Sequence, residues 1–416
     1  MDAATDLRLV GGVGVPEALL SDPERFGGVR QGDLRCGTLI LRGGRVEGLT
    51  LETGNSRPEC IVLSRLAEAH VHLDKCHSIE RCNDVGGNLQ TAIAAQMRDK
   101  VLCTAEDLER RARRGLSELV AAGCSAVRTH VDWSASADAP LVPLAWEVFG
   151  ALNDEAVKDG VTLQRAALTD IDEMSDPARA DAVARRVARD GGVLGSLVLH
   201  HIKRREGLEV LFACAEHYGL SLDFHVDEGL DPDLNGLELI ADVAGAMRFS
   251  GPVLCGHACS LASRSDDDVA RIADKLARAG VAVAALPSTN LYLQGRRDGT
   301  PDRRGITRLR ELARRGVDII VGTDNVRDAF CPIGRHDPIH SLGLAVLAGH
   351  LDPPFGRHLH TITSTARRAM GLEPLNIEGA AVADLLVCPV PSLSDLISGN
   401  SPVLPLTEHL GVTNAP

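Results

Sequence analysis

From about residue 60 onward, the sequence alternates regularly between short aliphatic runs and longer segments with helical spacing. Eight of the aliphatic runs have the length and composition of β-strands, and the segments between them repeat apolar residues every three or four positions. Several helical segments stop at a glycine, such as Gly219 and Gly280. This alternation predicts a (β/α)8 barrel of the TIM type, with a doubly wound open sheet as the alternative. The predicted strands are residues 61–71, 125–131, 162–168, 193–199, 222–226, 252–255, 281–286 and 318–321.

The two flanks of this alternating region have a different pattern. Residues 37–41 and 45–51 are rich in β-formers and are separated by Gly43 and Gly44, which predicts a hairpin. Residues 383–387 form a further short apolar run near the other end of the chain. We therefore predict a small β-sandwich domain formed from both termini, with residues 1–60 and 373–416 flanking a barrel at residues 61–372.

Composition excludes some functions. Aromatic residues make up only 3% of the chain and the net charge is −13, so neither base stacking nor phosphate neutralisation is favoured and no nucleic-acid partner is expected. No run of about 18 apolar residues and no signal-peptide pattern is present, which predicts a cytoplasmic protein with no membrane partner. The 11 cysteines include no C-x-x-C pair, which favours free thiols.

Histidines and acidic residues follow the predicted strands at the positions where a barrel carries its catalytic groups. His70 and His72 alternate at the end of the first strand, so both rings face the same side. His225 lies in the fifth strand, His257 ends the sixth, and Asp324 follows the eighth. Their joint placement predicts that these side chains converge at one mouth of the barrel.

Three imidazoles and one carboxylate are ligands that suit zinc or ferrous iron, with a position left open for water. We predict one divalent metal ion per chain, and manganese is a further option for this set of donors. Such an ion lowers the pKa of its water toward neutrality, which favours hydrolysis. Asp324 could accept the proton of the water, and Glu228, three residues after His225, could carry protons during the reaction. His130 also ends a strand, where it could support the ligands or contact substrate.

Several motifs resemble the amidohydrolase superfamily, specifically its cytosine deaminase-like branch, over nearly the whole chain. The resemblance implies a barrel with one catalytic metal ion held by His70, His72, His225 and Asp324. It implies that Glu228 shuttles protons and that His257 orients the hydroxide. A small heterocyclic substrate and a homo-oligomer are also implied. The motifs are Glu68-Ala-His-Val-His-Leu-Asp74, Arg128-Thr-His-Val-Asp132, Asp223-Phe-His-Val-Asp-Glu228, Gly256-His257, Asn290-Leu-Tyr-Leu-Gln-Gly-Arg296, Arg303-Arg-Gly-Ile-Thr-Arg308 and Gly322-Thr-Asp-Asn-Val326.

The sequence departs from cytosine deaminase where that enzyme binds its substrate. Asp170 falls where the family has a glutamine, Asn325 replaces an aspartate, and Phe330 lies near the position of a tryptophan. A carboxylate only accepts hydrogen bonds, so Asp170 favours a substrate edge rich in donors rather than cytosine itself. Lys75 and Asn325 instead resemble N-isopropylammelide amidohydrolase. With Gln294 of the Leu-Gln-Gly-Arg block, these residues are the predicted substrate contacts.

The leading hypothesis is a metal-dependent hydrolase that deaminates an amino-substituted N-heterocycle or cyclic amidine. Cytosine-like, isocytosine-like, aminotriazine and creatinine-like compounds are the candidate substrates. Release of an alkylamine on the same scaffold is one alternative. Another is ring-opening amide hydrolysis by two metal ions bridged by a carboxylated lysine, for which Lys203 is the candidate. A protein that binds metal or ligand without catalysis is a third hypothesis, but the presence of Glu228 argues against it.

Overall fold

The computed structural model describes residues 7–51, 57–82, 85–134, 142–399 and 401–411. Within these ranges, eight parallel strands form a barrel, and seven further strands form a separate sheet. In chain order the strands are β1 (Leu7–Pro16), β2 (Val29–Gln31), β3 (Leu34–Arg42), β4 (Arg45–Thr50), β5 (Cys60–Ser64), β6 (Leu66–Val71), β7 (Cys124–Asp132), β8 (Thr162–Asp170), β9 (Val193–Val198), β10 (Leu222–Val226), β11 (Val253–His257), β12 (Val281–Ala285), β13 (Ile319–Val321), β14 (Leu385–Cys388) and β15 (Leu404–Pro405).

Helices connect the barrel strands and cover the outside of the barrel. Two of them end as the sequence predicts, at Gly219 and Gly280 in the left-handed conformation. The α-helices of the described residues are α1 (Pro23–Phe26), α2 (Leu89–Lys100), α3 (Ala105–Ala121), α4 (Leu144–Ala156), α5 (Pro177–Arg189), α6 (Arg204–Tyr218), α7 (Gly236–Met247), α8 (Asp266–Ala279), α9 (Pro287–Leu293), α10 (Leu309–Arg314), α11 (Pro338–Gly349), α12 (Ser364–Ala369), α13 (Leu393–Ile397) and α14 (Leu406–His409).

The barrel strands run in sequence order from β6 to β13, each parallel to its neighbours. The first and last strands meet at a seam, where the amide of Asp324 donates to the carbonyl of His70 at 3.0 Å. The buried carboxylate of Glu68 accepts from the backbone amides of both His70 and Thr323 across this seam. The predicted (β/α)8 barrel is confirmed, and the open-sheet alternative is wrong because the two edges meet.

One predicted strand, residues 61–71, is wrong as a single element because the chain leaves one sheet and enters the other at Arg65. β5 pairs with β1 and β14, whereas β6 pairs with β7 in the barrel. The amide of Arg65 donates to the carbonyl of Asp384, and its guanidinium donates to that of Ala383. No glycine or proline marks the break, because both strands are buried and apolar and the chain stays extended. We propose Arg65 as the junction of the two domains.

The second sheet combines strands from both ends of the chain, which confirms the predicted small terminal β-domain. β3 pairs with β1 on one side and with β2 and β4 on the other, and β5 lies between β1 and β14. The predicted hairpin around Gly43 and Gly44 is the β3–β4 pair. All 11 cysteines are free thiols, as expected. Among the described residues, no helix is long and apolar enough to cross a membrane.

Candidate active site

Four of the predicted residues converge at the mouth of the barrel with their side chains buried. Nε2 of His72 lies 2.9 Å from Nε2 of His225 and 3.4 Å from Oδ1 of Asp324. Nε2 of His70 lies 3.6 Å from the same Asp324 oxygen. Ligands of a tetrahedral zinc ion, each about 2.0–2.1 Å from the metal, are separated by roughly 3.4 Å. These three distances are therefore close to those between ligands of one metal ion, although Asp324 and His225 do not belong to the same close group of ligand atoms.

The hydrogen bonding of these side chains also fits a divalent ion. Both ring nitrogens of His70 and both carboxylate oxygens of Asp324 are buried without a hydrogen-bond partner. Buried polar atoms are costly when unpaired, and one cation would satisfy one ring nitrogen of His70 together with a carboxylate oxygen of Asp324. His72 and His225 turn nitrogen atoms toward each other at a distance that requires a proton or a cation between them. The residues present therefore fit a metal ion held by three imidazoles and one carboxylate.

A small residue on β11 makes room for one of these imidazoles. A Cβ atom at Gly256 would lie 2.6 Å from Cε1 of His70, which is closer than carbon atoms approach without displacement. The next residue, His257, has a φ of 71°, and Asp324 has a φ of 57°. Both residues adopt the left-handed conformation, which is strained for residues other than glycine and is common at functional sites. The backbone is thus shaped around this cluster.

His130 lies beside the predicted ligands. Its ring centroid is 4.2 Å from that of His70 and 4.6 Å from that of His225, so its position makes it a further candidate ligand. Its Nε2 lies 3.0 Å from Asp223, which also pairs with Arg128 at 2.8 Å. Burial alone would raise the pKa of Asp223, but His130 and Arg128 outweigh burial and lower it to about 2. The ionised Asp223 therefore fixes the orientation of the His130 ring.

Glu228 and His257 face each other next to the cluster. Oε2 of Glu228 lies 3.6 Å from Nε2 of His257, and Oε1 of Glu228 is buried without a partner. Burial and the charge of Asp324 raise the pKa of Glu228 well above its ordinary value. Burial lowers the pKa of His257 to about 4, so that ring is neutral near pH 7. A carboxyl group with a raised pKa beside a neutral imidazole can accept a proton when ionised and donate it when protonated, so it can act as a base and an acid in one reaction.

Asn290 contacts the side of His257 that faces away from the cluster, although its motif predicts no individual role for it. Nδ1 of His257 lies 3.1 Å from the amide oxygen of Asn290, so the ring donates there and presents Nε2 to the site as an acceptor. The hydroxyl of Thr307 donates to the backbone carbonyl of His257 at 2.6 Å. These contacts set the tautomer and the position of the ring. Asn290 belongs to a motif quoted above, but its contact depends on α9 following β12 in the fold.

Lys75 is buried at the base of the site. Its Nζ lies 3.1 Å from Nδ1 of His72, 2.7 Å from Asp132 and 3.4 Å from Asp74. Burial would lower the pKa of Lys75, but Asp132 and Asp74 outweigh burial and raise it, so the side chain is charged. Burial and this charge lower the pKa of His72 to about 4. Lys75 therefore contacts a candidate metal ligand as well as the cavity.

A cavity of about 360 Å³ opens directly above the cluster. This volume lies within the range of small-molecule sites. Its walls combine apolar side chains of α2 with polar side chains from the ends of the barrel strands. It is lined by His72, Lys75, Leu89, Ile93, Gln96, Met97, Lys100, Asp132, Trp133, Ser134, Leu168, Thr169, Asp170, Glu173, Leu197, His225, Glu228, His257, Asn325 and Phe330.

The structure places most predicted substrate contacts in this cavity, but not all of them. Asp170, Asn325 and Phe330 line it together with Lys75. Asp170 is half-exposed and pairs with His201 at 3.4 Å, while the amide of Asn325 donates to Asp328 at 2.7 Å. Gln294 is not among the lining residues: its amide lies 3.4 Å from the backbone carbonyl of Glu228. Gln294 follows the last residue of α9, Leu293, and its contact is with the Glu228 backbone.

Sequence reasoning assigned no role to several residues that line the cavity, among them Asp132 and Trp133. Asp132 ends β7, as His257 ends β11, so the same strand-end argument could have identified it. Trp133 is buried and packs edge-on against Trp146 with ring centroids 5.0 Å apart. Trp133 lines the cavity because it immediately follows the last residue of β7, Asp132.

The residues after β9 lie away from the cluster. Lys203 and His200 are exposed, and His200 pairs with Asp231 at 2.9 Å. Lys203 does not line the cavity, so it is not placed to bridge two metal ions there. His201 is the exception in this segment because it contacts Asp170 at the rim.

Comparison with known proteins agrees with this geometry. Residues 86–398 match the family model described as "Amidohydrolase family". The chain is 35% identical over 341 residues to a pterin deaminase of Rhizobium rhizogenes (strain K84), covering 81% of this chain and 77% of that protein.

Solved structures share the fold. A 5-methylcytosine deaminase from Klebsiella pneumoniae bound to 5-fluorocytosine superposes with a TM-score of 0.77 at 23% identity, covering 95% of this chain and 94% of that one. An N-isopropylammelide isopropylaminohydrolase from Burkholderia multivorans gives 0.72 at 21% identity, covering 95% and 96%. At these identities the likeness is one of fold alone.

Proposed function

The chain belongs to the amidohydrolase family, whose members are metal-dependent hydrolases of carbon–nitrogen bonds, and from that premise we propose that it is a hydrolytic deaminase of an amino-substituted N-heterocycle. The observation that carries the proposal is the pairing of Glu228 with His257 at 3.6 Å, beside the metal-type cluster and facing the cavity. Hydrolysis of an amidine carbon requires a proton to be removed from water and delivered to the heterocycle. Glu228 is placed to make both transfers.

The proposed metal ligands are His70, His72, His225 and Asp324. The ligand atoms of the three histidines cluster with that of His130, and Asp324 clusters with His70 and His257. A divalent ion at this position supplies a nucleophile by lowering the pKa of a water molecule. Zinc and ferrous iron both suit this donor set. His257 presents a neutral Nε2 toward the same space, where it orients the water by accepting a hydrogen bond.

Both protons of one water molecule move during the proposed reaction. Glu228 accepts a proton from the attacking water and passes it to a ring nitrogen of the substrate as the water oxygen bonds to the amine-bearing carbon. A second proton from that oxygen reaches the amino group as the carbon–nitrogen bond breaks. Ammonia leaves and the ring keeps a carbonyl oxygen. The raised pKa of Glu228 suits this role because it makes the ionised carboxylate a better acceptor for the proton of water, and the protonated form then donates to the ring nitrogen.

We propose a pterin-like substrate, which is a bicyclic ring with an amino group and ring N–H donors on one edge. The pterin deaminase relative and the carboxylates in the cavity support this choice. Asp170 and Asp132 lie at the ends of neighbouring strands and offer only acceptors to a substrate. Phe330 gives the cavity an apolar ring close to Lys75, with Nζ 6.0 Å from its centroid.

A screen for ammonia release tests this proposal. Purified protein loaded with zinc or ferrous iron would be assayed with pterin, guanine, isocytosine, cytosine, creatinine and aminotriazines, with an N-alkylated aminotriazine included to detect alkylamine release. We expect ammonia from pterin at a higher kcat/KM than from the monocyclic compounds. Metal-loaded protein that releases no ammonia from any of these compounds would contradict the deaminase proposal. Preference for a monocyclic compound would contradict only the pterin-like substrate.

A further inference from the structure

A second group of side chains with metal-ligand chemistry lies away from the cavity. We call it the seam cluster, and it consists of His77, Glu118 and His336. Nε2 of His77 lies 3.0 Å from Oε2 of Glu118, and Nδ1 of His336 lies 2.7 Å from the same oxygen. The two imidazole rings are 5.4 Å apart in an edge-to-face arrangement. One ligand atom from each of the three residues lies within 4.8 Å of the others.

Both histidines of the seam cluster are buried, and each has a nitrogen without a hydrogen-bond partner. The side chain of His77 is 4% exposed and that of His336 is fully buried. Nδ1 of His77 and Nε2 of His336 have no partner, but they are the ring nitrogens opposite Glu118. The ligand atoms that face one another are Nε2 of His77, Nδ1 of His336 and Oε2 of Glu118. Burial lowers the pKa of both rings, to about 4 for His77, which keeps them neutral and able to bind a metal.

Glu118 has one carboxylate oxygen available for a ligand. Oε1 of Glu118 accepts from Arg114 at 3.0 Å, whereas Oε2 is directed at the two imidazoles. Its side chain is 36% exposed, so solvent can reach the carboxylate. Two imidazoles, one carboxylate and water from solvent are a donor set that zinc accepts. The positive charges that face the cluster, Arg114 and Arg327, are the groups that oppose a cation there.

The position of the seam cluster gives it a structural purpose. His77 follows β6, Glu118 lies on α3, and His336 lies between β13 and α11, so the cluster joins both sides of the barrel seam. Two backbone hydrogen bonds cross beside it, from His77 to Val326 at 3.1 Å and from Ile79 to Arg327 at 3.0 Å. Among the described residues, one isolated bridge links β6 to the segment after β13, between Val71 and Asp324. A ligated ion here would fasten the segments that follow these two strands.

We infer that the seam cluster binds a second divalent ion, of the zinc type, that is separate from the proposed catalytic ion and stabilises the closure of the barrel. The competing interpretation is a carboxylate hydrogen-bonded between two imidazoles with no ion. The distances from Oε2 of Glu118 to the two imidazole nitrogens, 3.0 and 2.7 Å, agree with both interpretations. A substitution is therefore needed to distinguish the two interpretations.

Such a substitution exists because a side-chain amide can donate the same hydrogen bond to Glu118 as each imidazole does. Glutamine places its amide nitrogen near the position of Nε2 of histidine, and asparagine places its own near Nδ1. The double variant His77→Gln/His336→Asn therefore retains donors to Glu118 but lacks imidazole ligands. His200→Ala is the matched control, because His200 also pairs with a carboxylate, Asp231, but on the surface.

The experiment strips the full-length protein of metal with a chelator, returns zinc in increments, and measures bound zinc per chain and the thermal midpoint. We expect two equivalents in the wild type and in His200→Ala but one in the double variant, with the second equivalent raising the midpoint by a few degrees. One equivalent in the wild type, or two in the double variant, would overturn the inference.

A measurement on the wild type alone covers the case in which the double variant does not fold. Crystals grown with zinc and measured at the zinc absorption edge should show anomalous scattering between His77, Glu118 and His336. A peak at the catalytic cluster with none at the seam cluster would refute the second ion. Neither measurement depends on deaminase activity, so the outcome is independent of the proposed substrate.

Discussion

Nζ of Lys75 lies 3.1 Å from Nδ1 of His72, the ring nitrogen opposite the one that faces His225. The same ammonium pairs with Asp132 at 2.7 Å, so one buried charge connects a candidate metal ligand to the wall of the cavity. It also acts on the proposed proton carrier, because its positive charge lowers the pKa of Glu228 against the effects of burial and Asp324. Lys75 thus contacts a proposed metal ligand and the wall of the cavity, and its charge lowers the pKa of the proposed proton carrier.

Replacing Lys75 with methionine should shift the pH dependence of the reaction. Without the ammonium, the pKa of Glu228 rises further, so the limb of the kcat/KM profile that reports Glu228 should move to higher pH. Lys75→Arg keeps the charge and should shift less. Lys100→Met is the control, since Lys100 lies at the exposed rim, 3.8 Å from Asp132. An unmoved profile in Lys75→Met would show that this charge does not act on the reaction.

Glu228→Gln should abolish most deaminase activity while leaving metal content unchanged. Loss of a general acid–base group costs about 10²- to 10⁴-fold, and the amide cannot shuttle a proton. Ammonia release and bound metal would be measured on the same preparation. Glu173→Gln removes another carboxylate of the same cavity and should retain activity within about tenfold of wild type. Equal losses in the two variants would show that cavity charge, and not proton transfer, was removed.

Asp223→Asn should destabilise the protein strongly. Asp223 and Arg128 are both fully buried and lie 2.8 Å apart, so removing the carboxylate charge leaves a buried guanidinium without its counter-ion. Breaking a buried pair in this way costs roughly 3–5 kcal/mol in the free energy of unfolding. Asp318→Asn breaks an exposed pair with Arg368 and should cost about 1 kcal/mol or less. Urea denaturation of the two variants measures the contrast, and similar costs would refute it.

Glu68 should make the stability of the metal-free protein depend on pH. Burial raises its pKa from 4.5 to about 7, so between these values the folded state holds a proton that the unfolded state releases. The stability contribution is therefore largest below pH 4.5 and is lost as pH rises to 7, by about 1.4 kcal/mol per pH unit in this window. Glu68→Gln lacks this dependence.

The thermal midpoint of Glu68→Gln relative to wild type should accordingly rise between pH 5 and pH 7.5, both being measured after chelation. The difference between the two proteins cancels the contributions of other titrating groups. A constant difference across this range would mean that Glu68 is ionised throughout, with its charge compensated by the amides of His70 and Thr323.

The sequence predicts the barrel and its ligands because both follow from local periodicity and from one topological rule. His70, His72, His225, His257 and Asp324 could be grouped since each lies at the end of a strand in a repeating unit. The break at Arg65 could not be predicted, because the two strands it separates are equally apolar and no turn residue intervenes.

Contacts between side chains that are far apart in the sequence could not be predicted either. Glu118 and His336 are separated by 218 positions, and nothing in the periodicity of α3 indicates which loop covers it. Gln294 was predicted to contact substrate from its motif, but it follows the last residue of α9 and its contact is with the Glu228 backbone. Motifs indicate which residues belong to a site, whereas orientation depends on packing.

The pairing of strands in the terminal sheet has a consequence for synthesis of the protein on the ribosome. β5 pairs with β14, through contacts such as Ser64 with Leu385. The edge of β5 that faces β14 therefore stays uncovered until the ribosome has added β14, Leu385–Cys388. An uncovered apolar edge strand can pair with another chain. The nascent protein therefore carries an uncovered apolar edge strand throughout synthesis of the barrel, and pairing with β14 covers that edge once β14 has been synthesised.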